Sequence, residues 1–234
     1  MSIVPKDRGE QHSKLGSKLR DFILGWQDGM VNVLGLILGV ASATQSVRLI
    51  MISGLAAAFA EAISMAAVAY TSTKAELDFY NSELEKERRE IRQMPEAERQ
   101  EIREIYFKKG FRGSLLEAVV RKVTSNKKVW TDTMMQEELK LSPVNDKPKD
   151  AAVIVLIASL VSPMIPMIPF LFFPIISAVI VSFTLSVITL FVTGAIEARL
   201  TIGNWKKRGL EMVIVGTAAA VLGYLVGKVL GAFL

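Results

Sequence analysis

The stretch Met51–Glu101 constrains this chain more than any other. It opens on the apolar run ISGLAAAFAEAISMAAVAY and passes, with no Pro or Gly between Gly54 and Pro95, into KAELDFYNSELEKERREIRQ. A helix that is apolar all round and then charged nearly all round fits a bilayer followed by the water beside it. Within the apolar part stand one carboxylate, Glu61, and one thioether, Met65, spaced i, i+4 and therefore on one face. In the charged part Glu83, Glu87 and Glu90 also share a face. This pattern reads as a cation path in a membrane with a cation-collecting surface in the adjoining water.

The rest of the chain supplies four more apolar runs. Phe22–Ala43, Ile50–Tyr70, Ala151–Phe173, Ile175–Ala195 and Leu210–Phe233 each have the length of a transmembrane helix. The chain therefore divides into a polar tail (1–21), spans one and two (22–73), a hydrophilic helical region (74–150) and spans three to five (151–234). The second span is rich in Ala, which allows close helix approach and predicts a place inside a bundle. Pro163, Pro166, Pro169 and Pro174 predict a broken third span. Ser182, Ser186, Thr189 and Thr193 make a polar stripe along the fourth, read as interhelical hydrogen bonding or as a wet lining. Gly35 and Gly39, and Gly223, Gly227 and Gly231, offer two close-packing faces, one expected within the subunit and one in a homodimer contact. The hydrophilic region reads as helices broken at Pro95, at Gly110–Gly113 and before Ser142-Pro143, with no strand pattern.

Charge fixes an orientation. The tail carries five Lys and Arg, the hydrophilic region seventeen and the loop Arg199–Arg208 four, which places all three on the cytoplasmic side. The tail followed at once by a full-length apolar run is not the pattern of a cleavable signal peptide. Net charge is +5, but the bases alternate with acids and lack interleaved aromatics, which argues against nucleic acid. The chain has no Cys and a single His, His12, so a thiolate or His-based metal centre is excluded, as is a nucleophile–base pair that uses either. It does not read as an enzyme, and no bound cofactor is expected.

The residues left for chemistry are acids and thioethers. Asp28 in the first span shares its face with Asn32, Gly35 and Gly39, and so is expected inside the bundle. No Lys or Arg in the first, third or fourth span can pair with Asp28 or Glu61. A proton or a bound cation must neutralise them. Met65 beside them adds a soft donor, and mixed oxygen and sulfur ligands suit borderline transition metals. Glu87 with Glu90, and Glu98 with Glu101, form i, i+3 pairs on helices joined by a Pro turn. Met134 and Glu138 are an i, i+4 pair further on, flanked by Met135 and Glu137.

The segments WQDGMVNVLGLILGVASA, AISMAAVAYTS, TDTMMQEELKL and SPMIPMIPF resemble, in this order, the vacuolar iron transporter family, and the similarity covers nearly the whole chain from Leu19. The resemblance implies an all-α polytopic protein of five transmembrane helices with a helical cytoplasmic metal-binding domain. It also implies a homodimer in a lipid bilayer that exchanges Fe²⁺ or similar divalent metals for protons. Matched by motif, Asp28 and Met65 fall on the intramembrane metal site. Glu87, Glu90, Glu98, Glu101 and Glu138, with Met134 and Met135, fall on the cytoplasmic metal-binding domain. Many members read Gly-Glu-Tyr after Ser-Met-Ala, where this chain has Val68-Ala69-Tyr70. Glu61 is assigned to the site from this sequence alone. The function expected is proton-coupled export of Fe²⁺, with Mn²⁺, Co²⁺ and Zn²⁺ as further substrates, at a plasma membrane. The alternative is a membrane-tethered metal sensor or buffer that does not transport.

Overall fold

The structure is a computed structural model that describes residues 8–144, 146–201 and 203–233, with side chains from residue 16 onward. His12 and the first bases of the tail lie outside the described side chains. Ten α-helices and no strands form the described residues. They fall into two units, one of residues up to 71 and from 146 on, the other of residues 72 to 144.

Five helical stretches of the chain are long and apolar enough to span a membrane. The first, α1 (Arg8–Ala43), begins well before the polar tail ends. The second, α2 (Val47–Gln93), runs for 47 residues, about 70 Å of helix and more than twice a ~30 Å hydrocarbon core. Only its apolar end can lie in lipid. The third span is broken as its prolines dictate, into α6 (Pro148–Val161), α7 (Met164–Met167) and α8 (Pro169–Phe172). The last two are α9 (Ile175–Leu200) and α10 (Trp205–Phe233).

In the membrane unit α1 is the central element and packs against α6, α7, α9 and α10. Two glycine pairs at successive heights make this possible. A Cβ on Gly29 would lie 2.8 Å from the Ser159 carbonyl oxygen of α6, and one on Gly39 2.7 Å from the Gly223 carbonyl oxygen of α10. Any side chain there would push the helices apart. The two glycine faces expected to serve different contacts therefore close on each other within one chain: Gly223 sits on Gly35 and Gly227 on Gly39. Where α1 meets α2, α7 and α8, Val33, Ile37, Ile50, Ala58, Met167 and Phe170 form the main core, each at most 2% exposed.

The second span departs from expectation. Its buried edge is the narrow row Ile50, Gly54, Ala58 and Ala62, at i+4 steps, with Ala69 beyond. Only 22% of its apolar window is buried, so α2 lies at the rim and not inside the bundle. Alanine permits close approach but does not choose the neighbour. In the polar stripe on α9 only Ser182 bonds to another helix, while Ser186 and Thr193 bond back to carbonyls of α9 itself. Ser182 donates to the Pro166 carbonyl at 2.7 Å, Ser186 to Ser182 at 2.8 Å and Thr193 to Thr189 at 2.9 Å.

The hydrophilic unit holds the charged end of α2 with α3 (Pro95–Lys108), α4 (Gly113–Thr124) and α5 (Lys127–Glu137). Pro95 stands at the first turn of α3, where its missing N–H has no partner to lose. Asn126 caps α5, accepting from the N–H groups of Lys128 and Val129. Ile91, Ile102, Leu116, Val120, Val123, Trp130 and Met134 make its core.

Gly227→Leu is expected to force α10 off α1, an overpacking cost of at least about 1–3 kcal/mol. Thermal unfolding of the purified full chain in detergent checks this. An unchanged midpoint would mean the α1–α10 seam is not as tight as the glycines indicate.

Candidate functional site

Three polar side chains meet at membrane depth on the rim formed by α1 and α2. Asn32 Nδ2 donates to Glu61 Oε1. The Asp28 carboxyl is a close neighbour of the Glu61 carboxyl. Asn32 is exposed, while Asp28 and Glu61 are half-buried. The face of Asp28 is thus not enclosed as expected: Gly35 and Gly39 are buried against α10, but the polar groups look outward from a single chain. Two carboxyl groups facing each other repel unless a proton or cation lies between them. Met65 follows one turn after Glu61 and packs on Ala69, Ala151 and Val155. It thus stands i+4 from Glu61 on the side of α2 that meets α6.

The second cluster lies wholly in the hydrophilic unit. Glu87 and Glu90 come from α2, Glu98 and Glu101 from α3, and Glu138 from the C-cap of α5. Glu87 is 3% and Glu98 5% exposed, and one oxygen of each, Oε2, is buried with no hydrogen-bond partner. Burial, then the charges of Glu138, Glu90 and Glu101, pushes the Glu87 carboxyl up to about 7, with Lys86 opposing. Burial, then Glu101, Glu87, Glu90 and Glu138, pushes Glu98 up to about 7 as well. Glu138 is also raised, by burial first and then by Glu101, which is its hydrogen-bonding neighbour. The five acids the sequence picked out thus converge. They do not close into a cage: among the described residues no three His, Cys, Asp or Glu side chains stand ready to hold one ion. Orphaned buried oxygens and mutually raised acids are the donor set a hard or borderline divalent cation satisfies.

The thioethers fare differently. Met134 and Met135 are fully buried, and Met134 packs in the core with Ile91, Ile102 and Trp130. Glu137, flanking Glu138, is bound to Lys109 at the end of α3, which lowers its pKa, and lies near Lys140. That pair ties the end of α5 to α3 and so sets where Glu138 stands. Sequence spacing gave no sign of it, because Lys109 and Glu137 are 28 positions apart.

The membrane unit and these two acid clusters define a multi-pass helical membrane protein built around carboxylates rather than around a His or Cys centre. The chain belongs to the VIT family, whose sequence model matches residues 19–228. It is similar to the vacuolar iron transporter 1 of Tulipa gesneriana, 31% identical over 225 residues, covering 95% of this chain and 91% of the relative. The vacuolar iron transporter 1 of Arabidopsis thaliana is 30% identical, covering 94% and 89%. The vacuolar iron transporter of Plasmodium berghei (strain Anka) is 29% identical, covering 94% and 85%. The relatives are transporters by name, a class that moves its substrate unchanged.

The raised acids make a signed prediction. Glu87 and Glu98 hold protons in the folded, metal-free state at pH values where the unfolded chain has lost them. Their contribution to stability is complete below the ordinary carboxylate range and is lost as pH rises through about 7. Hydrogen exchange in α3 and α5 of the metal-free full chain is expected to accelerate as pH rises past about 7, beyond the intrinsic chemical rate. A divalent metal should reverse this on the alkaline side only, because metal and proton compete for the same oxygens. Glu98→Gln should flatten the profile. The same pH profile in Glu98→Gln and wild type would show that this cluster does not titrate there.

Proposed function

We propose that this chain is a divalent-metal transporter that moves Fe²⁺ out of the cytoplasm in exchange for protons, with Mn²⁺, Co²⁺ and Zn²⁺ as lesser substrates. The observation that carries this reading is the meeting of Asp28, Asn32 and Glu61 at membrane depth. Acids there are costly, by about 2.5–3.5 kcal/mol on insertion scales, and no base in the neighbouring spans offsets them. A cation offsets them, and so do protons, which is the exchange an antiporter needs. Met65 adds a soft donor on one side, which favours a transition metal over Mg²⁺ or Ca²⁺. The names of the relatives, all iron transporters, support the same substrate.

In this reading the hydrophilic unit is cytoplasmic, as its bases indicate. It collects metal at Glu87, Glu90, Glu98, Glu101 and Glu138. Met134 and Met135 act there as buried supports for α5 unless the unit opens to expose their sulfur. The outward-looking polar group and the rim position of α2 support a homodimer in which a second copy covers this flank. The relatives are named for a vacuole, which favours a vacuole-type membrane over the plasma membrane expected from the sequence alone.

Reconstitution into liposomes carrying an internal pH dye tests the proposal. Fe²⁺ added outside should enter and the interior should turn alkaline as protons leave. Asp28→Asn and Glu61→Gln, which keep shape and lose charge, should each bring both signals to the level of empty liposomes. Wild-type Fe²⁺ entry in Asp28→Asn would remove the carboxylate from the mechanism. Fe²⁺ entry with no pH change would remove the proton.

A further inference from the structure

Beside the acid cluster, the hydrophilic unit carries a cleft of opposite character. Between the charged end of α2 and the start of α5 lies a cavity of about 300 Å³ lined by Arg88, Arg92, Lys127, Lys128 and Asp132, with Ile91 and Thr131 at its floor. Four cations against one carboxylate leave the cleft with a net charge of about +3. Arg88 is held by Glu85 at 2.7 Å. Among the described residues Arg92, Lys127 and Lys128 take part in none of the ion pairs. Three cations without an ion-pair partner, Arg92, Lys127 and Lys128, are thus gathered around the hollow, beside Arg88 and against the single lining carboxylate of Asp132.

We infer that this cleft binds a phosphate-bearing anion, at the level of a diphosphate group, a role separate from metal transport. The donors decide the chemistry. The first N–H groups of α5 are already bound by Asn126, at 2.9 and 3.3 Å. The Thr131 hydroxyl is given to the Lys127 carbonyl at 2.9 Å. What remains is side-chain charge: the Arg92 guanidinium fork, the part of the Arg88 guanidinium that Glu85 does not hold, two ammonium groups and the positive end of the α5 dipole. Such a set distinguishes little by hydrogen-bond pattern and much by charge. One phosphate group carries about −1.5 to −2 near neutral pH and leaves the cleft positive. Two linked phosphates match it. Asp132 counts against ligands of low charge density, such as a single carboxylate. The same phosphate chemistry is offered by soluble diphosphates and by phosphorylated inositol lipid headgroups.

The test uses the full chain, metal-free, in phosphatidylcholine nanodiscs, with inorganic pyrophosphate titrated by calorimetry. Saturable binding of one pyrophosphate per chain is expected, weakening as salt is raised. Lys127→Ala with Lys128→Ala should weaken it about tenfold or more. Lys127→Arg with Lys128→Arg should keep it, and Lys206→Ala with Lys207→Ala, at another basic cluster, should leave it unchanged. Exposed positions make misfolding of these variants a minor concern, and retention in the Arg pair controls for it. Absence of saturable binding to wild type, or equal binding in the Ala pair, overturns the inference. Nanodiscs containing phosphatidylinositol bisphosphate separate the sources. A Lys127- and Lys128-dependent loss of pyrophosphate affinity there assigns the site to the lipid headgroup, and unchanged affinity assigns it to a soluble anion.

Discussion

The approach of backbone to backbone along α1 is the constraint on which the membrane unit depends. Gly29 against α6 and Gly39 against α10 bring helix axes closer than any side chain would permit. In lipid, where apolar burial gives little drive between helices, such contacts are what association rests on. They hold α1 in the middle, and with α1 they fix the height of Asp28 and Asn32. Glu61 then reaches Asn32 from α2, across 29 positions of sequence. The polar group therefore depends on glycines that never touch it.

The consequence is an unusual surface. Most of the exposed residues on the membrane spans are Leu, Ile, Val and Phe, as lipid requires. The flank of α1 and α2 instead presents an exposed Asn and two half-buried acids. Facing lipid, these groups would have no partners beyond one another, in a medium that supplies none. A second copy laid on this flank would remove both problems, since it covers the small residues along α2 and encloses the acids in a path between copies. The hydrophilic unit shows a milder form of the same physics. Its acids tolerate one another in the absence of metal by holding protons, at a pKa close to neutral for Glu87 and Glu98.

Much of this was legible in the sequence, and for stated reasons. Span lengths and charge runs read directly because a bilayer imposes a length and a composition. The breaks in the third span followed from four prolines, and the start of α3 from Pro95. Asp28 and Glu61 stood out because acids in apolar runs are rare. What stayed hidden was pairing. Gly35 and Gly39 announce a close contact but not that Gly223 and Gly227 supply it. Alanines in the second span permit burial, yet only one edge of α2 is buried. The pairs Glu87 with Glu90 and Glu98 with Glu101 look alike in one dimension. Only the fold separates the buried Glu87 and Glu98 from their half-exposed partners, and only the core packing shows that Met134 serves first as a hydrophobic residue. The Lys109–Glu137 tie belongs to the same class of long-range fact.

The proposed meeting of two copies on the acid-bearing flank of α1 and α2 is open to direct cross-linking. The absence of cysteine makes the chain its own background for cross-linking. Leu36 lies one turn beyond Asn32 and is 37% exposed, while Leu222 lies on α10 and is 63% exposed. Leu36→Cys and Leu222→Cys, each as the single cysteine, can be treated in native membranes with a flexible bismaleimide and read as covalent dimer on a denaturing gel. Efficient dimer is expected from Leu36→Cys and little from Leu222→Cys. Dimer from Leu222→Cys with none from Leu36→Cys would place the contact on α10, leave the acids facing lipid and contradict the proposed interface.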